Sequence, residues 1–386
     1  MLQIVDKSEC CGCTACANIC PKHCIFMQED KEGFRYPSIN KNLCINCDLC
    51  MKICPIINYQ NIEIKNEGLI YGVKNKDITI QKESTSGGAF WGLVQYTLSK
   101  KGIVYGAIYD EKYQVIHKAA STIDDCKQFQ GSKYVESYIS ETLFKDIKCI
   151  LESGRLVLFS GTPCQVAGLR SFLKKTYNNL ILCDLICSSV PSPKIFRDYI
   201  HFIQQKRTLR SINMRWKGYG WNKSCTKLVY TNDSSIIGKG FAKLWTTIAF
   251  SHIVSRPSCH KCKFTSIYRV GDISIGDFWG VEKNYPDFFD DKGVSLVLVN
   301  TSKGRNVFNL VKNNFSLQQT TKEYCMQPRL SYPSSPSPYR AQFWEKYNST
   351  QFEYFARKYW RYGTFNQLKI FIHGILSIFY HKLIQK

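Results

Sequence analysis

Eight cysteines fall into two runs of one spacing. Cys10, Cys13, Cys16 and Cys20 precede Pro21, and Cys44, Cys47, Cys50 and Cys54 precede Pro55. Both runs read C-x2-C-x2-C-x3-C-P, and every cysteine recurs after 34 residues. Three cysteines spaced this way wrap a short loop around one corner of a cubane and offer it three thiolates. The fourth, on the short helix that follows, points away to the neighbouring cube. One [4Fe–4S] cluster is therefore expected on Cys10, Cys13, Cys16 and Cys54, and a second on Cys44, Cys47, Cys50 and Cys20. Zinc modules also use C-x2-C pairs, but zinc has no use for the third and fourth cysteines at these offsets. Residues 24–27 and 34–37 flank a polar turn with Gly33, which predicts a hairpin between the two halves. So small a core needs a staple, and two clusters supply one.

The whole chain has 386 residues and 19 cysteines, and no secretory leader is read at its start. A reducing, cytoplasmic setting is expected, where metal or redox chemistry is the first use of cysteine. The hydrophobic fraction of 44% excludes disorder along most of the chain. The formal net charge is +22, from 52 Lys and Arg against 30 Asp and Glu. These charges are spread along the sequence, with no basic run of interleaved aromatics, so no nucleic-acid partner is expected. The most apolar stretch, 370–380, contains His373 and is well short of the ~20 residues that span a bilayer.

Residues 56–70 read as a linker, after which strands and helices alternate. Strands are expected at 71–74, 103–109, 156–160 and 180–186. Helices are expected from a Ser86 cap to Gly102 and at 143–151, 164–175 and 195–204. This alternation predicts an α/β fold whose mixed, partly parallel sheet has helices on both faces and ligands at the carboxyl ends of strands. Two loops there suit a phosphate-bearing cofactor: Ser84 to Gly88, with Ser86, Gly87 and Gly88 opening a helix, and Gly131, Ser132, Lys133 and Tyr134. Thr162, Pro163 and Cys164 begin a helix directly after a strand, and a thiol there feels a helix N-terminus that favours thiolate. Cys187 ends the next strand, and Cys259 and Cys262 form a C-x2-C pair. By spacing, these four fit one more cluster, a zinc site or a lone nucleophilic Cys164.

Six strings occur in a telling order: SGGAF from Ser86, GSKYV from Gly131, GTPCQVAGLR from Gly161, DLIC ending at Cys187, CHKC from Cys259 and GDISIGDFWG from Gly271. Over roughly 70–305 the chain resembles the coenzyme F420 hydrogenase/dehydrogenase beta subunit family. It is fused to what resembles a bacterial-type two-cluster ferredoxin. The resemblance implies an oxidoreductase domain over 70–330 that binds FAD and a third [4Fe–4S] cluster on Cys164, Cys187, Cys259 and Cys262, behind a ferredoxin domain over 1–60. It places the flavin near Ser86, Gly87, Gly88 and Gly131 to Tyr134. Ferredoxin, a reduced deazaflavin or a nicotinamide is the implied redox partner, with a catalytic partner subunit as the alternative. Asp277 and Trp279 lie in a matched string; a turn cap and a core filler are their plain readings. Relatives often carry His-Gly after the cysteine matching Cys187, where this chain has Ser188 and Ser189.

Ser331 to Pro338 reads as a linker, and 339–386 as a basic, aromatic helical tail. Leu368, Ile372, Ile375, Leu376, Phe379 and Leu383 share a helical face. Such a face suits docking on the chain's own domain or a partner, or peripheral contact with a membrane. Membrane contact would fit a role in polysaccharide biosynthesis, where relatives of this fusion are found. The remaining seven cysteines, Cys11, Cys24, Cys126, Cys149, Cys183, Cys225 and Cys325, read as ordinary thiols.

Overall fold

The apolar runs in the middle of the chain become strands covered on both sides. The computed structural model describes residues 4–61, 68–205 and 207–363. In chain order the strands are β1 (Ile25–Glu29), β2 (Arg35–Ile39), β3 (Leu69–Asn75), β4 (Ile103–Tyr109), β5 (Val115–Ala120), β6 (Val157–Gly161) and β7 (Leu180–Leu185). There follow β8 (Leu209–Trp216), β9 (Cys225–Tyr230), β10 (Ser235–Ile237), β11 (Ile273–Asp277), β12 (Ser295–Val299) and β13 (Phe315–Thr320). β1 and β2 form the expected hairpin, with Gly33 turning at φ 86. Eight strands make one sheet in the order β13-β3-β12-β11-β7-β6-β4-β5. Contacts among β4, β6, β7 and β11 are parallel and the rest antiparallel, so the expected mixed α/β sheet is present.

Alternation along the strands divides two cores. Val157, Phe159, Leu180 and Leu182 face the helices Leu143–Glu152 and Pro163–Leu173. Leu158, Ile181 and Cys183 face the helices Ala89–Ser99 and Ser302–Val311. Successive side chains of a strand point to opposite faces, so a strand buried on both sides has to be apolar throughout. β12 comes close, with all five residues buried and only Ser295 polar.

The cysteine-rich segment is built into the first of these cores. Cys13, Ala15 and Ile53 pack in the same cluster as Val166 and Ala167. The contact is as close as backbone allows: a Cβ on Gly168 would lie 2.8 Å from Cys13 Cβ and 2.9 Å from its Sγ. Gly168 is thus the point at which helix Pro163–Leu173 admits the first cysteine loop.

Two features depart from the sequence reading. Ser86 does not cap a helix; Gly88, left-handed at φ 83, precedes Ala89–Ser99, and the Ser86 hydroxyl donates to Val294 O at 2.6 Å. A separate sheet, β8 to β10, stands with the helices Pro193–Gln204 and Gly240–Phe250 around a third core. The helices Arg340–Lys346 and Phe352–Trp360 close that core with Phe343, Phe352, Phe355 and Trp360. The amphipathic face from Leu368 to Leu383 lies outside the described residues. Among the described residues no helix is long and apolar enough to cross a membrane.

Two substitutions probe this packing. Gly168→Ala adds only a methyl group, and by helix propensity alone would stabilise by about 1 kcal/mol. Against Cys13 it should instead destabilise by about 1–3 kcal/mol, read as a lower thermal midpoint. The second concerns His117 of β5, which is buried on Phe159 with Nε2 3.0 Å from Ser160 O. Burial pushes its imidazole down to about 4. Below its ordinary value of about 6.5 the unfolded chain takes up a proton that the folded chain refuses, so stability falls with pH. His117→Phe should remove about 1.5 kcal/mol of the stability lost between about pH 6.5 and 5, measured by unfolding at both values.

Candidate functional site

The carboxyl ends of β6, β7 and β11 open on one edge of the sheet. β6 runs into Thr162, which precedes the helix, with Pro163 at the first position and Cys164 at the second. Gln165 accepts from the Thr162 amide at 3.0 Å, and Thr162 Oγ1 lies 3.2 Å from Cys164 Sγ. β7 leads to Cys187. Cys259 and Cys262 come from the turn Pro257–Lys261 and its cap, and the Val190 amide donates to Cys259 Sγ at 3.4 Å. Cys164, Cys187, Cys259 and Cys262 act on one another electrostatically, so the fold brings these four thiols together.

Their protons are held tightly. A hydrogen bond with Cys11, then burial, pushes the Cys164 thiol well up, against the expectation that the helix N-terminus would favour thiolate. Burial raises Cys187, Cys259 and Cys262. Four buried thiols grouped this way fit an iron core, which displaces the protons of its ligands. Among the described residues, no three His, Cys, Asp or Glu converge closely enough to hold a single metal ion. A cubane, being larger, sets its four thiolates farther apart.

In the N-terminal segment the 34-residue repeat extends to the backbone. Gly12 (φ 69) and Asn46 (φ 52), and Thr14 (φ 63) and Asp48 (φ 55), are left-handed at matching positions. Such turns gather amides into concavities that favour anions, the charge of a thiolate-ligated cluster. Cys16 is surrounded by Cys10, Cys54 and Cys50, and Cys13 by Cys54 and Cys16. Cys20, Cys44, Cys47 and Cys50 line one cavity with Pro21, Ile25 and Ile39. Two cysteines read as ordinary are not remote from these groups. Cys24 lines the same cavity with Sγ 3.4 Å from that of Cys20, and Cys11 lies between Cys13 and Cys164. Their fit was hidden because neither belongs to the spacing.

The two loops expected at a flavin meet. Thr85 Oγ1 accepts from the Ser132 amide at 2.9 Å and lies 3.2 Å from its hydroxyl. Gly87 packs under β3 and β12, where a Cβ would strike Val73 O and Ser295 N. Gly131, at φ 79, faces open space. Lys133 donates to Gln128 O at 2.6 Å and Gln130 O at 3.0 Å, and burial lowers its ammonium to about 7. It therefore braces its own loop. Tyr134 stacks edge-on to Phe250.

Residues that the sequence reading left aside supply the charge. Arg215, at the end of β8, pairs with Asp277 at 3.2 Å, and its Nε is buried without a hydrogen-bond partner. Burial raises the Asp277 carboxyl, and Arg215 opposes that. Lys217 donates to Gln81 O at 2.7 Å, Ser86 O at 2.8 Å and Lys292 O, and burial lowers it to about 8. Trp221 donates to Asp277 at 3.2 Å and lies parallel to Trp279 at 5.1 Å. Trp279 is 44% exposed, so it does not fill the core, and Asp277 is an ion-pair partner rather than a turn cap. β8 and β11 are distant in sequence, so no local pattern announced this pairing.

Comparisons with known proteins find two family models and a similar solved structure. Residues 154–323 match the family model for the C terminus of the coenzyme F420 hydrogenase/dehydrogenase beta subunit, and residues 9–57 match a 4Fe-4S dicluster domain. The first match includes Cys164, Cys187, Cys259, Cys262, Asp277 and Trp279; the loops at Ser86 and Gly131 lie outside it. No curated protein matches. Among solved structures, the chain is similar to one in the xenon-derivatised F420-reducing [NiFe] hydrogenase complex from Methanosarcina barkeri. That similarity has 18% identity, 66% coverage of this chain, 82% of the other, and a TM-score of 0.44. The chain is thus related, over residues 154–323, to the C terminus of coenzyme F420 hydrogenase/dehydrogenase beta subunits, and residues 9–57 carry the pattern of a 4Fe-4S dicluster domain.

Proposed function

We propose that this protein is an iron–sulfur flavoprotein oxidoreductase, which passes electrons between a two-electron substrate at FAD and a line of three [4Fe–4S] clusters. The observation that carries the reading is the position of Cys11 between Cys13 and Cys164, beside the bare contact of Gly168 with Cys13. On this reading the cluster of Cys10, Cys13, Cys16 and Cys54 adjoins that of Cys164, Cys187, Cys259 and Cys262. The cluster of Cys20, Cys44, Cys47 and Cys50 is then outermost, where Cys47, Leu43 and Ile45 are exposed, and electrons enter or leave for a redox partner there. The division of labour is a ferredoxin domain over 1–60, a flavin and cluster domain over 70–330 and a helical tail over 339–386.

Bound flavin would supply the exchange between electron pairs and single electrons. The chain's own part is to bind and orient it. Ser86, Gly87 and Gly88 with Gly131, Ser132 and Tyr134 form the floor, Lys133 stiffens its own loop, Lys217 braces the turn at Ser86, and Arg215 offers positive charge to phosphate or to a ring carbonyl. Deazaflavin, nicotinamide and other organic two-electron carriers are the candidate substrates. The words "beta subunit" in the matched family support a catalytic partner subunit as the second reading.

Anaerobic purification should give a brown protein with FAD and about twelve irons per chain. Cys164→Ala should lower iron by about four and leave the signals of the two ferredoxin clusters in place. Zinc in place of iron, or an unchanged iron count in that variant, overturns the third cluster. Absence of flavin overturns the flavoprotein. Bleaching of the bound flavin by deazaflavin, nicotinamide or ferredoxin identifies the carrier, and a flavin that reacts only with a co-purifying protein present favours the second reading.

A further inference from the structure

A single buried cation joins the loop that carries Cys259 to the first cysteine run. Arg256 is 1% exposed. Its amide donates to Val190 O at 3.0 Å, and its carbonyl accepts from the Cys259 amide at 3.0 Å, so its backbone belongs to the loops that bring up Cys187 and Cys259. Its side chain points the other way. Nε donates to Cys10 O at 2.8 Å, Nη2 to Arg35 O at 2.9 Å, and Nη2 approaches Cys10 Sγ at 3.8 Å. Nη1 reaches both oxygens of Glu136, at 2.8 and 2.9 Å. The guanidinium carbon is 4.4 Å from the centre of the Tyr36 ring. Gly12 makes room for it, since a Cβ there would lie 2.7 Å from Nη1.

These contacts exceed what packing needs. A buried charge is costly unless paired, and an apolar side chain could have filled the space more cheaply. A cation kept beside a thiolate ligand has an electrostatic consequence for any centre that gains negative charge. Hydrogen bonds to ligand sulfur and nearby charge are among the levers that set cluster potentials.

We propose that Arg256 is a positioning residue that raises the potential of the cluster on Cys10, Cys13, Cys16 and Cys54 while fixing that cluster beside Cys259 and Cys187. The proposal rests on the ligand assignment above. A cluster held there would take one electron from its redox partner on reduction, and the guanidinium would stabilise the added charge. Glu136 acts in the opposite sense, because its carboxylate moderates the cation.

Potentiometric titration of the holoprotein with dithionite, followed by electron paramagnetic resonance, tests this together with iron analysis. Arg256→Gln should lower the potential of one ferredoxin cluster, by about tenfold in the ratio of reduced to oxidised form, ~59 mV for a one-electron couple. Glu136→Gln should move the same cluster the other way. Arg256→Lys, which keeps the charge, should stay nearer the wild-type value. A purely structural clamp would not give opposite signs. Shifts of one sign, or none in the variants that keep their iron, overturn the proposal, as does loss of iron in all three. Cys10→Ala separates the two levels: if it keeps full iron and both ferredoxin signals, the ligand assignment is what fails.

Discussion

The approach of the first cysteine loop to helix Pro163–Leu173, permitted by the missing side chain at Gly168, fixes much of the rest. That helix carries Cys164 at its start and rests on β6 and β7. Once the loop sits on it, Cys13 and Cys164 can be no farther apart than one intervening thiol, that of Cys11. The same helix is anchored by Arg170, which donates to Val270 O at 2.7 Å beside the start of β11. Strand ends, helix start and cysteine loop are therefore one packed unit. Close-packed interiors transmit small displacements, so a shift at this contact would be felt at both cysteine groups.

Buried ion pairs hold the surrounding pieces in place. Arg269 pairs with Asp184 at 2.6 Å, both sequestered from solvent, and also donates to Leu185 O, which steadies the segment leading to Cys187. Arg340 pairs with Glu32 and donates to Ser255 O at 3.1 Å, tying the helix Arg340–Lys346 to the hairpin turn. Breaking such a pair by removing one partner typically costs about 3–5 kcal/mol, because it strands the other charge. Part of the basic excess is thus structural: several of the 14 arginines act as internal clasps, while surface lysines account for most of the remaining charge.

What the sequence made legible was governed by local rules. The cysteine runs, the hairpin and strands β4, β6 and β7 depend on spacing, turn residues and apolar alternation, all visible within a dozen residues. The sheet of β8 to β10 was missed because β8, which begins it, mixes Arg, Ser and Asn with Leu and Ile and does not alternate cleanly. Ser86 looked like a cap, yet its hydroxyl is claimed by Val294, more than two hundred positions away. Lys133 looked free for a ligand, yet its own loop carbonyls surround it. Arg215, Lys217 and Arg256 carry no motif, and only the meeting of distant segments gives them a role. The four cysteines beyond the ferredoxin runs were nameable only through the order of the strings around them.

The two ends of the proposed electron path differ in what they offer a partner. At the outer end Leu43 and Ile45 are more than half exposed around Cys47, which is the apolar, shallow surface that a second protein can cover. At the other end Trp279 lies exposed over the buried Trp221, with Arg215 and Asp277 beneath, a planar and charged setting better matched to an aromatic small molecule. A carrier that exchanges single electrons needs only proximity, whereas one that exchanges a hydride needs its ring held face to face with the acceptor. On the proposed path the chain's groups divide the same way, with exposed apolar residues around Cys47 and oriented aromatic and ionic groups around Trp279. If the proposed path holds, substrate choice would be set by β8 and β11, and partner choice by the loops around Cys44 and Cys47.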